Sequence, residues 1–268
     1  MSQTRIARLF ERTRAERRAA FIPYLTAGDP TPDRTPALVE AMERGGADLI
    51  ELGVPFSDPL ADGPVIQRAA MRALDAGTTL AGVLDIARQI RTRSEIPLLL
   101  FTYLNPVLRY GVEKLAADAK SAGIDGCLLT DLSVEEAERI VSVMHASGLD
   151  TVFLAAPTST ARRLELVARY SSGFVYLVSR TGVTGERDSL SSSAAPLVDS
   201  MRKATDLPLA VGFGISTPPQ VETVARLADG VVVGSALVRV IEQSAGSASL
   251  EANLESATRE LRSAIRAK

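Results

Sequence analysis

The chain has no tryptophan, one cysteine and one histidine in 268 residues, and its aromatic content is only 4%. A lone Cys127 excludes an internal disulfide framework and fits a reducing compartment. Cys127 falls within a candidate strand and reads as core, while His145 lies in a helical stretch and reads as a helix-surface residue. Lysine is also scarce: Lys114, Lys120, Lys203 and Lys268 all occupy helical or terminal positions, so no Schiff-base lysine stands at a strand end. No apolar run approaches the roughly 18 residues of a membrane span. A formal net charge of -2 removes any broad electrostatic case for nucleic acid.

The content that remains, 46% hydrophobic, is enough for a full core in one barrel-sized domain. Short apolar runs alternate with longer helical patterns from end to end. Strands are expected over 21–26, 47–52, 97–103, 124–130, 151–155, 174–179, 207–212 and 230–233. Helices are expected over 33–44, 81–93, 111–121, 134–146, 161–170, 195–204, 219–227 and 250–267. Strict alternation implies parallel pairing through right-handed crossovers. Eight such units close into a barrel, whereas a doubly wound sheet usually stops at about six strands. The expectation is an α/β fold, a single (β/α)8 barrel domain over residues 1–268 with an extra N-terminal helix. That helix, Arg5 to Arg12, is rich in arginine, but Glu11 and Glu16 argue against a transit peptide, and Ile6, Leu9 and Phe10 give it an apolar face. The polar, serine-rich stretch Glu186 to Ser193 reads as the most flexible segment.

Chemistry in such a barrel sits at the C-terminal strand ends. The second strand carries Glu51 there, although strands covered on both faces read as nearly continuous apolar runs, and an ionised carboxylate is costly to bury without partners or a task. Asp62 follows in a loop rich in proline and glycine. Each acid alone fits a strand-end ion pair or an ordinary turn; together they read as an acid/base pair. The third strand ends in Tyr103, the fourth in Asp131, and the sixth passes Tyr176 into Arg180. The seventh runs into Gly212-Phe213-Gly214-Ile215-Ser216 and the eighth into Gly234-Ser235 before a short helix. Any one of these glycines could be a plain turn residue, and Ser235 a plain cap. Two glycine-bearing loops at adjacent strand ends, with a helix N-terminus, read as a phosphate site. Thr184 and Gly185, after the sixth strand, could close over it.

With no lysine for a Schiff base and no metal site, proton transfer falls to Glu51, Asp62, Asp131 and Tyr176. Such a site suits a substrate that carries its own electron sink and needs only acid/base help. The segments Phe21 to Pro30, Glu51 to Pro64, Tyr176 to Gly185 and Gly212 to Ser216 resemble the tryptophan synthase α subunit family, in register over the whole barrel. The resemblance implies a lyase that cleaves indole-3-glycerol phosphate to indole and glyceraldehyde 3-phosphate in tryptophan biosynthesis. It implies no cofactor in this subunit, with pyridoxal phosphate in a β partner and an αββα heterotetramer in the cytoplasm. On the family pattern Glu51 shuttles the proton, Asp62 accepts the indole N–H bond and Tyr176 stands beside Glu51. Tyr24, Phe101 and Leu128 would line the indole pocket, and Tyr103 would join them in binding substrate. Thr184, Gly185, Gly212, Phe213, Gly214, Gly234 and Ser235 would hold the phosphate end.

Pro55, Asp58 and the loop at Ser133 resemble the surface that meets the β subunit. The family commonly has Asp-Leu-Pro where this chain has Asp131-Leu132-Ser133, a loss of backbone constraint. Alternatives with the same motifs are a stand-alone lyase and a catalytically idle, phosphate-binding subunit that only activates its partner.

Overall fold

The computed structural model describes residues 4–178 and 188–267. Helix α1 (Arg5–Ala15) precedes β1 (Ala20–Thr26), α2 (Thr35–Arg44) and β2 (Ile50–Gly53). Two helices, α3 (Pro64–Asp75) and α4 (Leu80–Arg91), lead to β3 (Leu98–Thr102), and two more, α5 (Leu104–Tyr110) and α6 (Val112–Ser121), to β4 (Gly126–Leu129). There follow α7 (Glu138–Ala146), β5 (Asp150–Val152), β6 (Leu154–Ala155), α8 (Ala161–Tyr170) and β7 (Val175–Val178). The chain ends with α9 (Asp188–Arg202), β8 (Leu209–Gly212), α10 (Pro218–Leu227), β9 (Gly230–Val233), α11 (Ser235–Ser244) and α12 (Leu250–Ser263).

Every strand pairing is parallel, in the order β5-β4-β3-β2-β1-β9-β8-β7-β6. The two ends of that order are consecutive in the chain: β5 and β6 are one strand interrupted at Phe153. The Tyr176 N–H donates to Phe153 O at 3.1 Å, which carries the ladder across the break and closes the (β/α)8 barrel.

Residues two apart point to the same face of a strand, and this separates two apolar layers. Ile22, Tyr24, Leu99, Phe101, Leu128, Val152, Tyr176 and Val232 fill the barrel interior, while Leu25, Leu52, Leu100 and Val231 pack outward against the helices. Helix α1 closes the bottom: Ile6, Leu9 and Phe10 are buried with the interior layer, and Phe10 meets Phe174 at 5.6 Å. At that end Asp48, Asp125 and Asp229 accept the N–H of Phe21, Leu98 and Leu209 at 2.9, 2.9 and 2.8 Å and pair with Arg18, Arg91 and Arg202. These acids serve the bottom of the barrel, the end that carries stability rather than chemistry.

Three sequence expectations need correction. The helix expected over 195–204 is α9, which starts at Asp188, so residues 188–193 of the stretch read as flexible are helical, and Glu186 and Arg187 lie outside the described residues. Burial of Ala194, Leu197, Val198 and Met201 stabilises it despite Pro196 in its interior, tertiary packing overriding local propensity. Helix α3 was not anticipated, although Pro64 opens it and its buried Ile66, Ala69, Ala70 and Ala73 follow an i, i+3, i+4, i+7 pattern. Helix α5, of 7 residues, is too short to show a period.

Candidate active site

A cavity of about 800 Å³ opens at the C-terminal strand ends. Tyr24 of β1, Glu51 of β2, Phe101 of β3, Tyr176 of β7 and Val232 of β9 line its floor, because each sits at an inward position near its strand end. Asp62 and Gly63 close one side from the second loop. Phe213, Gly214, Gly234 and Ser235 form the other.

Glu51 is 1% exposed, and its Oε1 has no hydrogen-bond partner among the described residues. Desolvation alone pushes its carboxyl well above the ordinary glutamate value. A carboxyl shifted in this direction keeps its proton more readily than a free glutamate and can deliver it to a substrate. Tyr24 is the Cα partner of Glu51 in the β1–β2 ladder. Burial, with a smaller effect from the Glu51 charge, raises the Tyr176 phenol, so Tyr176 is a neutral donor beside the acid.

Asp62 sits in a different environment. Partial burial pushes its carboxyl up to about 6, and the hydrogen bond from Tyr103 Oη to Oδ2, 3.0 Å long, works in the opposite direction. Two carboxyls with one strongly raised and the other titrating near neutrality is the pattern that assigns acid and base roles.

The two tyrosines facing the cavity depend on missing side chains. A Cβ on Gly53 would lie 2.2 Å from Tyr24 Oη, and one on Gly212 would lie 2.1 Å from Tyr176 Oη. Gly212, read from sequence as a phosphate residue, is therefore first a seat for the Tyr176 phenol. Gly234 differs: the nearest atom to a Cβ there is Tyr24 Cβ at 3.6 Å, an ordinary contact, so the space above Gly234 is open to the cavity. Gly234 is the N-cap of α11 and Ser235 its first residue, so the first amides of this helix have no partner within it. Phe213 has φ 73°, a left-handed backbone unusual for a residue with a side chain. That conformation holds its ring on the cavity wall, edge-on to Tyr176 at 5.8 Å. The Ser216 N–H is already taken by Gln220 Oε1 at 2.8 Å, whereas Gly214, Gly234 and Ser235 line the cavity wall.

Other sequence readings find different places. Leu128 is completely buried, opposite Phe101 in the β3–β4 ladder; it supports the pocket floor and does not face the cavity. Tyr103 stands behind Asp62, not on the cavity wall. Asp131 accepts the Leu104 N–H at 2.6 Å and caps α5. Pro55, read as a partner contact, is buried, whereas Asp58 is exposed. Ser133 has φ −64°, a value that proline would adopt, so the departure from proline leaves the backbone where a proline would hold it. Thr184 and Gly185 lie outside the described residues. Sequence reasoning missed Ile66 and Arg239 on the cavity wall. Arg239 follows Ser235 by one helical turn, a spacing that could have shown it.

A closed parallel barrel with its cavity and inward carboxylates at the C-terminal strand ends defines the molecule as a (β/α)8 barrel of the enzyme type. The family model described as "Tryptophan synthase alpha chain" matches residues 10–266. The tryptophan synthase alpha chain of Solibacter usitatus is 73% identical over 259 residues, covering 97% of each chain. That of Geotalea uraniireducens is 51% identical, covering 91% of each. Among solved structures, the tryptophan synthase subunit alpha of Legionella pneumophila superposes with a TM-score of 0.91 at 37% identity over 98% of both chains. Mycobacterium tuberculosis tryptophan synthase gives 0.90 at 38% identity over 99% of both. The chain belongs to the tryptophan synthase alpha chain family.

Proposed function

We propose that this chain, as one domain, is the lyase that splits indole-3-glycerol phosphate into indole and glyceraldehyde 3-phosphate, and that it hands indole to a β subunit that carries pyridoxal phosphate. The observation that carries the reading is the buried Glu51 carboxyl, its Oε1 without a hydrogen-bond partner among the described residues, facing the same cavity as Asp62 and the open backbone at Gly234. Glu51 gives its proton to indole C3, which creates an iminium at the ring nitrogen. Asp62, as carboxylate, accepts the ring N–H bond and stabilises that charge. The hydroxyl on the carbon attached to C3 then loses its proton to the Glu51 carboxylate, the C3–carbon bond breaks, and its electron pair neutralises the iminium. Indole and an aldehyde result, with Glu51 reprotonated. Phe101, edge-on to Tyr24 at 5.3 Å, offers the flat apolar wall that an indole ring needs.

The partner surface falls on the second to fourth loops. Leu60, two residues from exposed Asp58, is 95% exposed, and Leu108, on α5, is 56% exposed, while Ser133 is half-buried. Such exposure marks an association surface when it is contiguous. An αββα assembly in the cytoplasm, with no cofactor in this subunit, completes the proposal.

The direct test is indole release from indole-3-glycerol phosphate, with and without the cognate β subunit. Activity should rise at least about tenfold with the partner, a coupling on the order of 1.4 kcal/mol. Full speed alone, unchanged by the partner, would make this a stand-alone lyase; no release in either state removes the lyase reading. The phosphate end has its own test. Gly234→Val should fold normally, because a Cβ fits there, yet weaken glyceraldehyde 3-phosphate binding on the order of tenfold by losing a charge-assisted backbone bond. Indole binding should be spared. Equal losses for both ligands, read by calorimetric titration, would place the phosphate elsewhere.

A further inference from the structure

Tyr103 directly follows β3 and is the N-cap residue of α5, so its position is set by two rigid elements. Its ring is 4% exposed and lies against Phe56, with centroids 5.2 Å apart. Its hydroxyl joins two neighbouring residues of the second loop: it accepts the Ala61 N–H at 3.1 Å and donates to Asp62 Oδ2 at 3.0 Å. The Ala61 N–H takes one acceptor position of the hydroxyl, whose proton points to the carboxylate, with the Thr130 side chain a further hydrogen-bonding neighbour.

We propose that Tyr103 is the positioning residue that keeps Asp62 ionised and aimed into the cavity, and that it acts on the reaction only through Asp62. The inference rests on the lyase reading above and assigns Tyr103 a task different from binding substrate. The physical reason is that Asp62 is partly desolvated and, among the described residues, has no cation bonded to it. Around it stand Tyr24 from β1, Glu51 from β2 and Tyr103 from β3, the first and third raised by burial and by the Asp62 charge. On its own loop, Asp58 is turned to Ser57. On α3, Arg68 and Arg72 are tied to Glu242 and Asp29. Tyr176 and Arg239 occupy other parts of the cavity wall. Among the described residues the Tyr103 hydroxyl is thus the side chain that hydrogen-bonds the Asp62 carboxylate, and donation to a carboxylate favours the charged form.

The test is the pH profile of Tyr103→Phe, assayed for indole release with the β subunit present. Phenylalanine keeps the ring on Phe56 and removes only the hydroxyl. The acid limb of kcat/KM should move to higher pH by about one unit, the usual order for one hydrogen bond to a carboxylate. Activity above the shifted limb should recover most of the wild-type rate. An acid limb that coincides with wild type overturns the proposal, as does a uniform loss at every pH. Carboxyl-carbon NMR titration of Asp62, its resonance assigned by its loss in Asp62→Asn, separates the two readings. If wild type releases no indole, the lyase reading fails, while the Asp62 midpoint still has to rise in Tyr103→Phe for Tyr103 to hold its assigned place.

Discussion

Glu51→Gln is expected to lower indole-3-glycerol phosphate turnover by about 10² to 10⁴ and, at neutral pH, to make the barrel more stable. The amide keeps the shape of the side chain but cannot move a proton to and from C3. The stability gain follows from burial. A glutamate whose carboxyl is raised above 4.5 in the folded chain binds protons there more tightly than when unfolded. The stability contributed by Glu51 is therefore fully present below about pH 4.5 and is lost as pH rises through the window up to its folded value. Glutamine has no such penalty. Turnover measured beside urea denaturation separates the two effects: loss of rate with an unchanged or higher midpoint is expected. Near wild-type turnover would falsify the role of Glu51, and a lower midpoint would mean that the carboxyl is structural.

Asp62→Asn is expected to cost a comparable factor through electrostatics, since an amide cannot balance the positive charge that develops on the indole nitrogen. Its pH behaviour distinguishes it from Glu51. With the Asp62 carboxyl at about 6, wild-type kcat/KM should decline as pH falls below that value, because protonation removes the stabilising charge. In Asp62→Asn that limb should vanish and leave a low, flat rate. A limb near pH 6 that survives the substitution must belong to another group, and the division of labour between the two acids would be wrong.

Some of this was legible in the residues themselves. Alternating apolar runs and helical stretches give parallel crossovers, and eight of them leave little but a barrel; the strand interruption at Phe153 was invisible because Val152 to Ala155 is an unbroken apolar run. Glu51 stood out for the same reason that it is useful: a carboxyl inside an apolar strand must be neutralised, paired or put to work. Glycine-bearing loops at two strand ends pointed, through backbone rules that need no tertiary information, to the cavity wall where the phosphate is proposed to sit.

What the sequence by itself determined is thus the periodicity, the closure into eight units and the presence of acids and glycines at strand ends, because these depend on local geometry. Only the tertiary structure decided which groups meet across strands. It placed Tyr103 behind Asp62, turned Gly212 into space for Tyr176, withdrew Leu128 and Pro55 into the interior and made Asp131 a helix cap. It also gave the two acids different proton affinities, since desolvation and hydrogen bonding depend on what surrounds a carboxyl, and those surroundings come from residues far apart in the chain.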